Sequence, residues 1–345
     1  MRPLLKPGVH RVWRDHQTLQ LGLDPDRAVV LAGVDQALAD IVDRLTGAHT
    51  LDALAVYGET RGVDVRTTRT FVGMLAESGL LDDADHLPPH LSALPLRERE
   101  RLRPDLAAAD PNSLERRRQA TVLVHGAGRV GATVATLLAA AGIGRVRSVD
   151  QAKATPADLA PAGLREEDVG HSRASGVSRT IRAVAPSTDT TNVQVGGHRP
   201  DLVVVAPDEE PDRQLAQVLV QHGIPHLYVR VWEARGVLGP LVLPGTASCL
   251  RCHDLHRADR DPAWPHLLAQ ILTARPAVRA CDVTLATTTA GIAVLHVLAF
   301  LAGEPVPSRD ATIELALPFA TPRRRSWTPH PRCGCQWDHL ASAAA

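Results

Sequence analysis

The sequence predicts an α/β protein in which a mostly parallel sheet has helices on both faces and a small α+β domain precedes it. Three observations lead to this prediction. From Thr121 onward, short apolar runs typical of strands alternate with helical segments. A glycine-rich turn separates the first of these strands from the helix that follows it. Residues 1–85 have a different pattern, in which two short β-like runs precede three helical segments.

The composition limits the class of protein. The 345 residues are 44% apolar, enough for two domains with cores, and 38 Lys and Arg balance 38 Asp and Glu. This balance argues against nucleic acid or an anionic membrane as a partner. The N-terminus lacks the apolar core of a signal peptide, and no apolar run is expected to approach the roughly 20 residues of a membrane span. We therefore expect a cytoplasmic protein.

Residues 1–85 predict a winged-helix-like domain. The runs HRVWRD and TLQLGLD predict a hairpin, and the helical spacing that follows is broken at Gly47. A third helix is expected to end at Gly79, before a strand begins at Leu80. Four apolar residues share one face of this helix: Val65, Phe71, Val72 and Leu75. Because the helix offers only Arg66 and Arg69 as basic groups, a peptide-docking or dimerisation module is favoured over DNA binding.

Residues 86–117 predict a linker between this domain and the main domain, residues 118–345. The segment is rich in proline and charge. A short helix is expected from about Arg97 to Arg103, where Pro104 would end it.

The glycine-rich turn predicts a nucleotide site of the Rossmann-like type. Gly126, Gly128 and Gly131 form GxGxxG between the strand TVLVH and a helix, whose N-terminus offers N–H groups to an anion. The glycines permit a tight turn, a close approach of backbone to phosphate, and close packing of helix on strand. Asp150, 19 residues beyond Gly131, can accept hydrogen bonds from ribose hydroxyls. The pattern serves NAD and ATP equally, and a tight turn without a ligand is the alternative.

A second acidic residue follows the strand DLVVVAP. Asp208 would lie just beyond the C-terminal edge of a parallel strand, in the crevice where ligands bind. There it could hold a Mg²⁺ ion that bridges a triphosphate. The alternative is an N-cap for the helix after Pro211, and the two roles do not exclude each other.

Four of the five cysteines form two close pairs. Cys249 and Cys252 lie in CLRC, and Cys333 and Cys335 lie in CGC. Four thiolates match a closed tetrahedral zinc site, which is structural and would attach the C-terminal tail to the domain. Disulfides are disfavoured in the cytoplasm. Cys281 is left over, either as a buried packing residue or as a nucleophile.

Together, these motifs in this order resemble the ThiF/MoeB/ubiquitin-activating-enzyme superfamily over about residues 118–337. The resemblance implies that ATP binds the glycine loop and that the C-terminal carboxylate of a ubiquitin-like protein or peptide attacks the α-phosphate. An acyl-adenylate then forms with loss of pyrophosphate. The implied cofactors are ATP, Mg²⁺ and Zn²⁺. The resemblance gives the glycines the phosphate loop, Asp150 the ribose and Asp208 the magnesium ion, with Arg213 where the family often has Arg.

Two further segments extend the resemblance. EEDVGHSRA is similar to a family segment that ends in Lys-Ala, so Arg173 takes the place of the phosphate-binding lysine. Arginine carries the same charge on a wider, planar group. WEARGVLGPLVLPGTASCLRC is similar to the family's stretch before the first cysteine pair, and Cys281 lies near the position of the sulfur-handling cysteine of ThiF-type members.

The sequence departs from the family pattern after Asp150. A second acid is replaced by Ala152, and in the Asn-Leu-x-Arg-Gln segment Pro161 stands where the arginine belongs. Adenylation develops negative charge on the α-phosphate, so a missing guanidinium lowers the rate unless another replaces it. Arg165 and Arg129 are the nearest candidates in the sequence.

The N-terminal domain resembles the leader-peptide recognition modules that precede ThiF-like domains in enzymes and partner proteins of ribosomal peptide processing. The resemblance implies that a peptide can add as a strand beside the hairpin and pack on the third helix. Val65, Arg69 and Val72 would line that groove, with core packing as the alternative for the two valines.

Three functions are therefore compared. The first is a homodimeric, ATP-dependent adenylyltransferase that activates the C-terminus of a small ubiquitin-like protein or precursor peptide, with Asp208, Arg173 and Arg165 as catalytic residues. It needs no general base, because the attacking carboxylate is already ionised. The second is a noncatalytic scaffold that binds a leader peptide for a partner modifying enzyme. A nicotinamide oxidoreductase is disfavoured, because no proton-relay His or Tyr is evident and the cysteine pairs stay unexplained.

Overall fold

The computed structural model describes residues 1–86, 89–106, 111–191, 199–274, 276 and 278–336. Residues 87–88 and 107–110 of the predicted linker lie outside the described residues. The chain divides into two units, Met1–Glu115 and Arg116–Ala345.

The first unit has a three-stranded antiparallel sheet and a separate two-stranded sheet. The three-stranded sheet contains β2 (Arg11–Trp13), β3 (Thr18–Leu21) and β4 (Val29–Ala32), and β1 (Pro3–Leu5) pairs with β5 (Leu81–Asp83). Three helices follow the larger sheet: α1 (Gln36–Asp43), α2 (Leu51–Thr60) and α3 (Val65–Glu77). Each begins at a capping side chain, from Asp35, Thr50 and Asp64 respectively. This unit confirms the small N-terminal α+β domain, in which β1 and β4 were not predicted.

Helix α3 buries most of the face that the sequence predicted. Phe71, Val72 and Leu75 are buried in the core of the unit, while Val65 is half-buried. Val72 is only 1% exposed, so of the two roles considered for it the structure supports core packing and not a place in a peptide groove. Arg69 is exposed and pairs with Asp52 on α2.

The segment predicted as a linker is largely helical. It contains α4 (Pro89–Ser92), α5 (Leu96–Leu106) and α6 (Pro111–Gln119). The prediction that Pro104 ends the helix is wrong, because α5 continues to Leu106. In the last turn a proline removes only one backbone donor, and the helix ends two residues later. Four leucines from these helices and the turn between them pack together: Leu91, Leu94, Leu102 and Leu114.

The second unit is built on a seven-stranded sheet in the order β12-β11-β10-β9-β8-β6-β7. The strands are β6 (Thr121–His125), β7 (Arg145–Val149), β8 (Leu202–Val205), β9 (His226–Trp232), β10 (Arg235–Val242), β11 (Ala311–Ala316) and β12 (Arg323–Ser326). Strands β7, β6, β8 and β9 are parallel, as predicted. Strands β10 to β12 extend the sheet in antiparallel pairs that the sequence analysis did not predict.

Helices cover both faces of this sheet, which confirms the predicted fold class. They are α7 (Arg129–Ala140), α8 (Arg173–Val184), α9 (Arg213–Gln221), α10 (Leu250–Arg260), α11 (Trp264–Thr273) and α12 (Val283–Ala302). Successive residues of a strand point to opposite faces. Val204 accordingly packs in the core with α7 and α12, while Val203 and Val205 pack in the core with α9 and α10. Strand β8 therefore separates two apolar cores.

Helix α12 corrects one expectation about apolar runs. Its 20 residues have a mean hydropathy of 1.9, so among the described residues this helix is long and apolar enough to cross a membrane. The helix meets this description by its length and composition only. Leu285, Ala290 and Val297 are buried in the same core as the sheet, which explains the apolar composition within this fold.

Candidate functional site

The glycine loop lies at the C-terminal end of β6 and leads directly into α7. Gly126 has a φ of +102°, and a Cβ atom there would lie 2.2 Å from the carbonyl oxygen of Ala206. A Cβ atom on Gly128 would lie 2.0 Å from Oδ1 of Asp208. In the first turn of α7, a Cβ atom on Gly131 would lie 2.0 Å from the carbonyl oxygen of Gly126. Backbone atoms therefore exclude a side chain at Gly126 and Gly131, whereas at Gly128 a Cβ atom would displace the carboxylate of Asp208, which the structure brings against the loop.

Asp150 joins the end of β7 to the same loop. Its Oδ2 accepts a hydrogen bond of 2.7 Å from the N–H of Ala127, and its Oδ1 accepts one of 2.8 Å from the N–H of Ala152. Each carboxylate oxygen has further acceptor capacity. The carboxylate is thus held beside the loop, where the sequence predicted a ribose ligand.

Arg173 lies at the centre of the site and contacts three carboxylates. Its Nη2 and Nε donate to the two oxygens of Asp158, at 2.5 and 3.1 Å. Its Nη1 lies 2.7 Å from Oδ2 of Asp208 and 3.4 Å from Oδ2 of Asp150. Burial would lower the pKa of Arg173, but the charges of Asp208 and Asp158 outweigh it and raise that pKa above its ordinary value. The guanidinium stays charged and holds the carboxylates together.

Local structure fixes both partners of the Arg173–Asp158 pair. Asp158 ends a short 3₁₀ turn, and its Oδ2 accepts hydrogen bonds from the N–H and the hydroxyl of Thr155, at 2.7 and 2.9 Å. Arg173 is the first residue of α8, where Ser172 is the N-cap. Asp158 lies three residues before Pro161, in the segment where the sequence departs from the family pattern.

A residue that the sequence analysis missed, Arg279, contacts the strand-end carboxylates from the other side. Its Nη1 lies 3.2 Å from Oδ2 of Asp208, and its Nη2 lies 2.5 Å from Oε1 of Glu209. Its side chain is 43% exposed, against 7% for Arg173. No motif includes Arg279, and only its position two residues before Cys281 could have indicated from the sequence that it lies near the site.

Two adjoining chambers meet at these groups. The first, which we call the loop chamber, has a volume of about 390 Å³ and is lined by His125, Gly126, Asp150 and Gln151 among others. The second, the Cys281 chamber, has a volume of about 510 Å³ and is lined by Arg129, Asp158, Val231 and Cys281 among others. Four residues line both chambers: Arg173, Pro207, Asp208 and Arg279.

Buried polar atoms without partners lie on these walls. Nδ1 of His125, in the loop chamber, and Nε of Arg129, in the Cys281 chamber, have no hydrogen-bond partner in the described part of the chain. Buried polar groups are normally paired, so unpaired ones that line a chamber indicate a place for a polar ligand. Together with the N-terminus of α7, whose N-cap Gly128 has no side-chain hydrogen bond, these atoms fit a bound nucleotide.

Of the two arginines proposed to replace the missing one at Pro161, the structure brings only Arg129 to the site. Nη1 of Arg129 donates a 2.7 Å hydrogen bond to the carbonyl oxygen of Cys281. Arg165 is exposed, and it is not among the described residues that line either chamber. Its backbone N–H donates to Asp168 in a second 3₁₀ turn.

Cys281 is half-buried in the chamber that we named after it. Burial raises the pKa of its thiol to about 11. The thiol is therefore protonated at neutral pH, which favours the packing role over that of a ready nucleophile.

Arg213 belongs to a separate network on α9. It pairs with Asp254, with Nε 2.9 Å from Oδ2, and with Glu210, with Nη2 2.8 Å from Oε1. Burial raises the pKa of Glu210, but the charges of Arg230 and Arg213 outweigh it and leave that pKa below its ordinary value. Arg213 is thus part of this ion-pair network, and it is not among the described residues that line either chamber.

The four paired cysteines come together in one cluster. Their sulfur atoms are 3.9 Å apart for Cys249–Cys252 and 3.4 Å apart for both Cys249–Cys333 and Cys252–Cys335. A tetrahedral zinc ion with Zn–S bonds of about 2.3 Å would separate its sulfurs by about 3.8 Å. The backbone N–H of His330 also donates to Sγ of Cys252 at 3.3 Å, a contact that suits a thiolate. The cluster can hold a zinc ion, and it lies in the core on the α9 and α10 face.

The family model described as the ThiF family matches residues 101–336, more than half of the chain. The chain belongs to the ThiF family. A search of curated protein sequences finds no match.

Solved structures of other ThiF-like proteins have the same fold. E. coli MccB with ATP has 16% identity and a TM-score of 0.69, with 97% of this chain and 99% of that chain covered. The microcin C7 biosynthetic enzyme MccB in complex with N-formylated MccA has 16% identity and a TM-score of 0.67, with 97% and 100% covered. PaaA has 18% identity and a TM-score of 0.69, with 94% and 99% covered. At these identities the matches establish a shared fold that includes both units.

Proposed function

We propose that this ThiF-family protein is an ATP-dependent adenylyltransferase that activates the C-terminal carboxylate of a peptide or small ubiquitin-like protein. One observation carries the proposal. Asp208 lies against Gly128 of the glycine loop and lines both chambers, so a metal-bound triphosphate in one chamber and a carboxylate in the other would meet beside it. ATP bound to the structurally similar E. coli MccB supports this nucleotide over NAD.

The proposed roles follow from position. Gly126 would form the tight turn, since its N–H donates to the carbonyl oxygen of Val149. Gly128 would let backbone N–H groups at the N-terminus of α7 approach the phosphates, Gly131 would allow α7 to pack closely on the loop, and Asp150 would bind the ribose hydroxyls. Oxygen ligands of Asp208 suit Mg²⁺, which when bound supplies charge stabilisation to the phosphates. Arg129, whose Nε has no hydrogen-bond partner among the described residues, would bind negative charge of the nucleotide in the Cys281 chamber. Arg165 has no catalytic role in this proposal, because it is exposed and is not among the described residues that line either chamber.

The chemistry needs few groups from the protein. A carboxylate oxygen of the substrate would attack the α-phosphorus of ATP as the bond to the β-phosphate oxygen breaks, so pyrophosphate leaves with the bonding electrons. No proton is transferred, because the attacking carboxylate is ionised at neutral pH. The protein's contribution is therefore to align the two reactants and to stabilise the charge that develops on the phosphate.

Zinc is proposed as a structural cofactor at Cys249, Cys252, Cys333 and Cys335. Four sulfur ligands leave no open position for chemistry. The proposed role is to attach the tail around Cys333 and Cys335 to the start of α10.

A precursor peptide is the proposed substrate class. MccB has been solved in complex with MccA, and the present chain shares its fold over 97% of its length. The first unit, with its exposed edge strand β2, is the proposed recognition module for such a peptide. A homodimer in the cytoplasm completes the proposal, and a small ubiquitin-like protein is the alternative substrate.

A noncatalytic scaffold is the second candidate, and one observation favours it. Asp208 is engaged by two guanidinium groups, those of Arg173 and Arg279, while Pro161 stands where the resembled family has an arginine. In a scaffold the site would keep these ion pairs and bind a leader peptide for a partner enzyme without turnover.

Pyrophosphate exchange separates the two candidates. Labelled pyrophosphate enters ATP only if an adenylate forms reversibly, so the wild-type protein with a cognate precursor peptide should show exchange. Asp208→Asn should abolish it, whereas Asp212→Asn should not. Asp212 is the N-cap of α9, and asparagine caps equally well. No exchange with any peptide encoded near the gene, together with unchanged ATP affinity in Asp208→Asn, favours the scaffold.

A further inference from the structure

The two arginines that contact Asp208 differ in their freedom to move. Arg173 is buried and makes a bidentate pair with Asp158, which is itself held by Thr155. Only its Nη1 reaches Asp208. Arg279 is 43% exposed, and its two hydrogen bonds go to Asp208 and Glu209 at the mouth of the chambers. A partly exposed ion pair is weak, so Arg279 can exchange partners at low cost.

We propose that Arg279 binds the polyphosphate of the nucleotide, and that before the nucleotide arrives it is the counter-ion of Asp208. In this way it replaces the guanidinium that is missing at Pro161. The inference rests on the proposed function, since it concerns the same site. Arg173 then has a different role, which is to hold the carboxylates of Asp158 and Asp208 in position.

The charge distribution supports the exchange. Among the described residues, the side chains that line the two chambers carry four carboxylates and three guanidiniums. The carboxylates are those of Asp150, Asp158, Asp208 and Glu209, and the guanidiniums are those of Arg129, Arg173 and Arg279. A divalent cation at Asp208 would repel the guanidinium of Arg279. A polyphosphate beside the glycine loop would attract it.

Arg279 also has the reach that the task requires. It lines both the loop chamber and the Cys281 chamber, so its guanidinium stands between the proposed positions of nucleotide and carboxylate. Arg173 also lines both chambers, but its Nε and Nη2 already donate hydrogen bonds to Asp158. A guanidinium released from Asp208 would present a planar pair of donors to phosphate oxygens.

The proposal predicts opposite effects of one substitution on two ligands. Without nucleotide, Arg279→Ala should tighten the binding of Mn²⁺, used as a spectroscopic substitute for Mg²⁺, by about threefold, because a competing partly exposed cation is removed. With metal present, the same substitution should weaken ATP binding by about tenfold, the typical effect of losing a charge-assisted hydrogen bond. AMP, which lacks the β- and γ-phosphates, should bind Arg279→Ala and wild type alike.

The experiment uses the full-length protein and measures Mn²⁺ binding by electron paramagnetic resonance and nucleotide binding by calorimetry. Arg182→Ala is the matched control, because Arg182 is an exposed arginine on α8 that lines neither chamber. Arg279→Lys should retain part of the ATP affinity, since the charge remains. Circular dichroism shows whether each variant is folded.

Two results would overturn the proposal. One is a Mn²⁺ affinity that Arg279→Ala leaves unchanged or lowers, because Arg279 then does not compete for Asp208. The other is a loss of affinity that is equal for ATP and AMP, or absent for both, because Arg279 then does not bind the polyphosphate. If the wild-type protein binds no ATP, the proposed function fails. The Mn²⁺ measurement still decides whether Arg279 is the counter-ion of Asp208.

Discussion

Arg173 and Asp158 form a bidentate ion pair at the centre of the site, with Nη2–Oδ1 at 2.5 Å and Nε–Oδ2 at 3.1 Å. In the family that the sequence resembles, these two positions carry a lysine and an asparagine. A lysine cannot make two parallel hydrogen bonds to a carboxylate, whereas an arginine can. The two replacements therefore compensate for each other in geometry, because the guanidinium at position 173 fits the carboxylate at position 158.

This compensation predicts non-additive effects on stability. Asp158→Asn should lower the free energy of unfolding by about 1–3 kcal/mol, because a buried charge-assisted pair is lost. Arg173→Lys should also be destabilising. The double variant should lose less than the sum of the two, which urea denaturation can measure. Additive losses would mean that the pair is not coupled. Asp189→Asn serves as a control, because it removes a partly exposed ion pair with Arg145 while an asparagine oxygen can still accept from Thr191.

The contact between Gly128 and Asp208 predicts the effect of a single methyl group. A Cβ atom on residue 128 would lie 2.0 Å from Oδ1 of Asp208, so Gly128→Ala must displace that carboxylate. We expect ATP affinity to fall by at least about tenfold while the protein stays folded. Gly73→Ala is the control, because a Cβ atom there meets nothing within 4 Å and α3 should gain about 0.5–1 kcal/mol. Calorimetry showing wild-type ATP affinity in Gly128→Ala would contradict the role given to this contact.

The cysteine cluster predicts one zinc ion per chain. Mass spectrometry of the purified protein should find this ratio, and Cys252→Ser should bring zinc content close to zero and lower the melting temperature. Cys281→Ser should keep the zinc, since Cys281 lies outside the cluster. Equal zinc content in Cys252→Ser and the wild type would show that the metal is bound elsewhere.

The half-buried thiol of Cys281 predicts a distinctive pH dependence of alkylation. Burial raises its pKa to about 11, so the reactive thiolate is scarce below that pH and becomes more abundant as the pH rises. In zinc-loaded protein, the rate of modification by iodoacetamide should rise about tenfold for each pH unit between pH 8 and 10. Glutathione, measured in parallel, should begin to level off within this range. A plateau for Cys281 below pH 9.5 would show that its pKa is not raised.

The parts of the site that lie next to strand ends were predictable from sequence. Gly126 and Asp150 follow β6 and β7, and Asp208 follows β8, so spacing along the chain was enough to locate them. The cysteine pairs were recognisable because each pair is local. For these groups, the parallel sheet itself brings residues from distant parts of the sequence to one edge.

Other contacts depend on packing that no local pattern records. Arg279 follows α11 and meets Asp208 across 71 positions of sequence, with no motif to mark it. Arg165 was chosen for its proximity to Pro161 in the sequence, but its side chain is exposed outside the chambers. Strands β10 to β12 were not predicted, because the pairing of antiparallel strands at the edge of a sheet depends on the tertiary path of the chain and not on a local sequence pattern. The apolar length of α12 was missed because threonines and alanines dilute its pattern.

Strand β8 connects the core that contains the cysteine cluster to the proposed nucleotide site. Val203 and Val205 share their core with Cys249 and Cys252, while Val204 shares its core with the helix after the glycine loop. Asp208 lies three residues after the last residue of this strand. If the proposed function holds, partial loss of zinc should therefore loosen the position of the carboxylate proposed to hold Mg²⁺ before it unfolds the protein, and adenylation should decline at zinc levels that still leave the secondary structure intact.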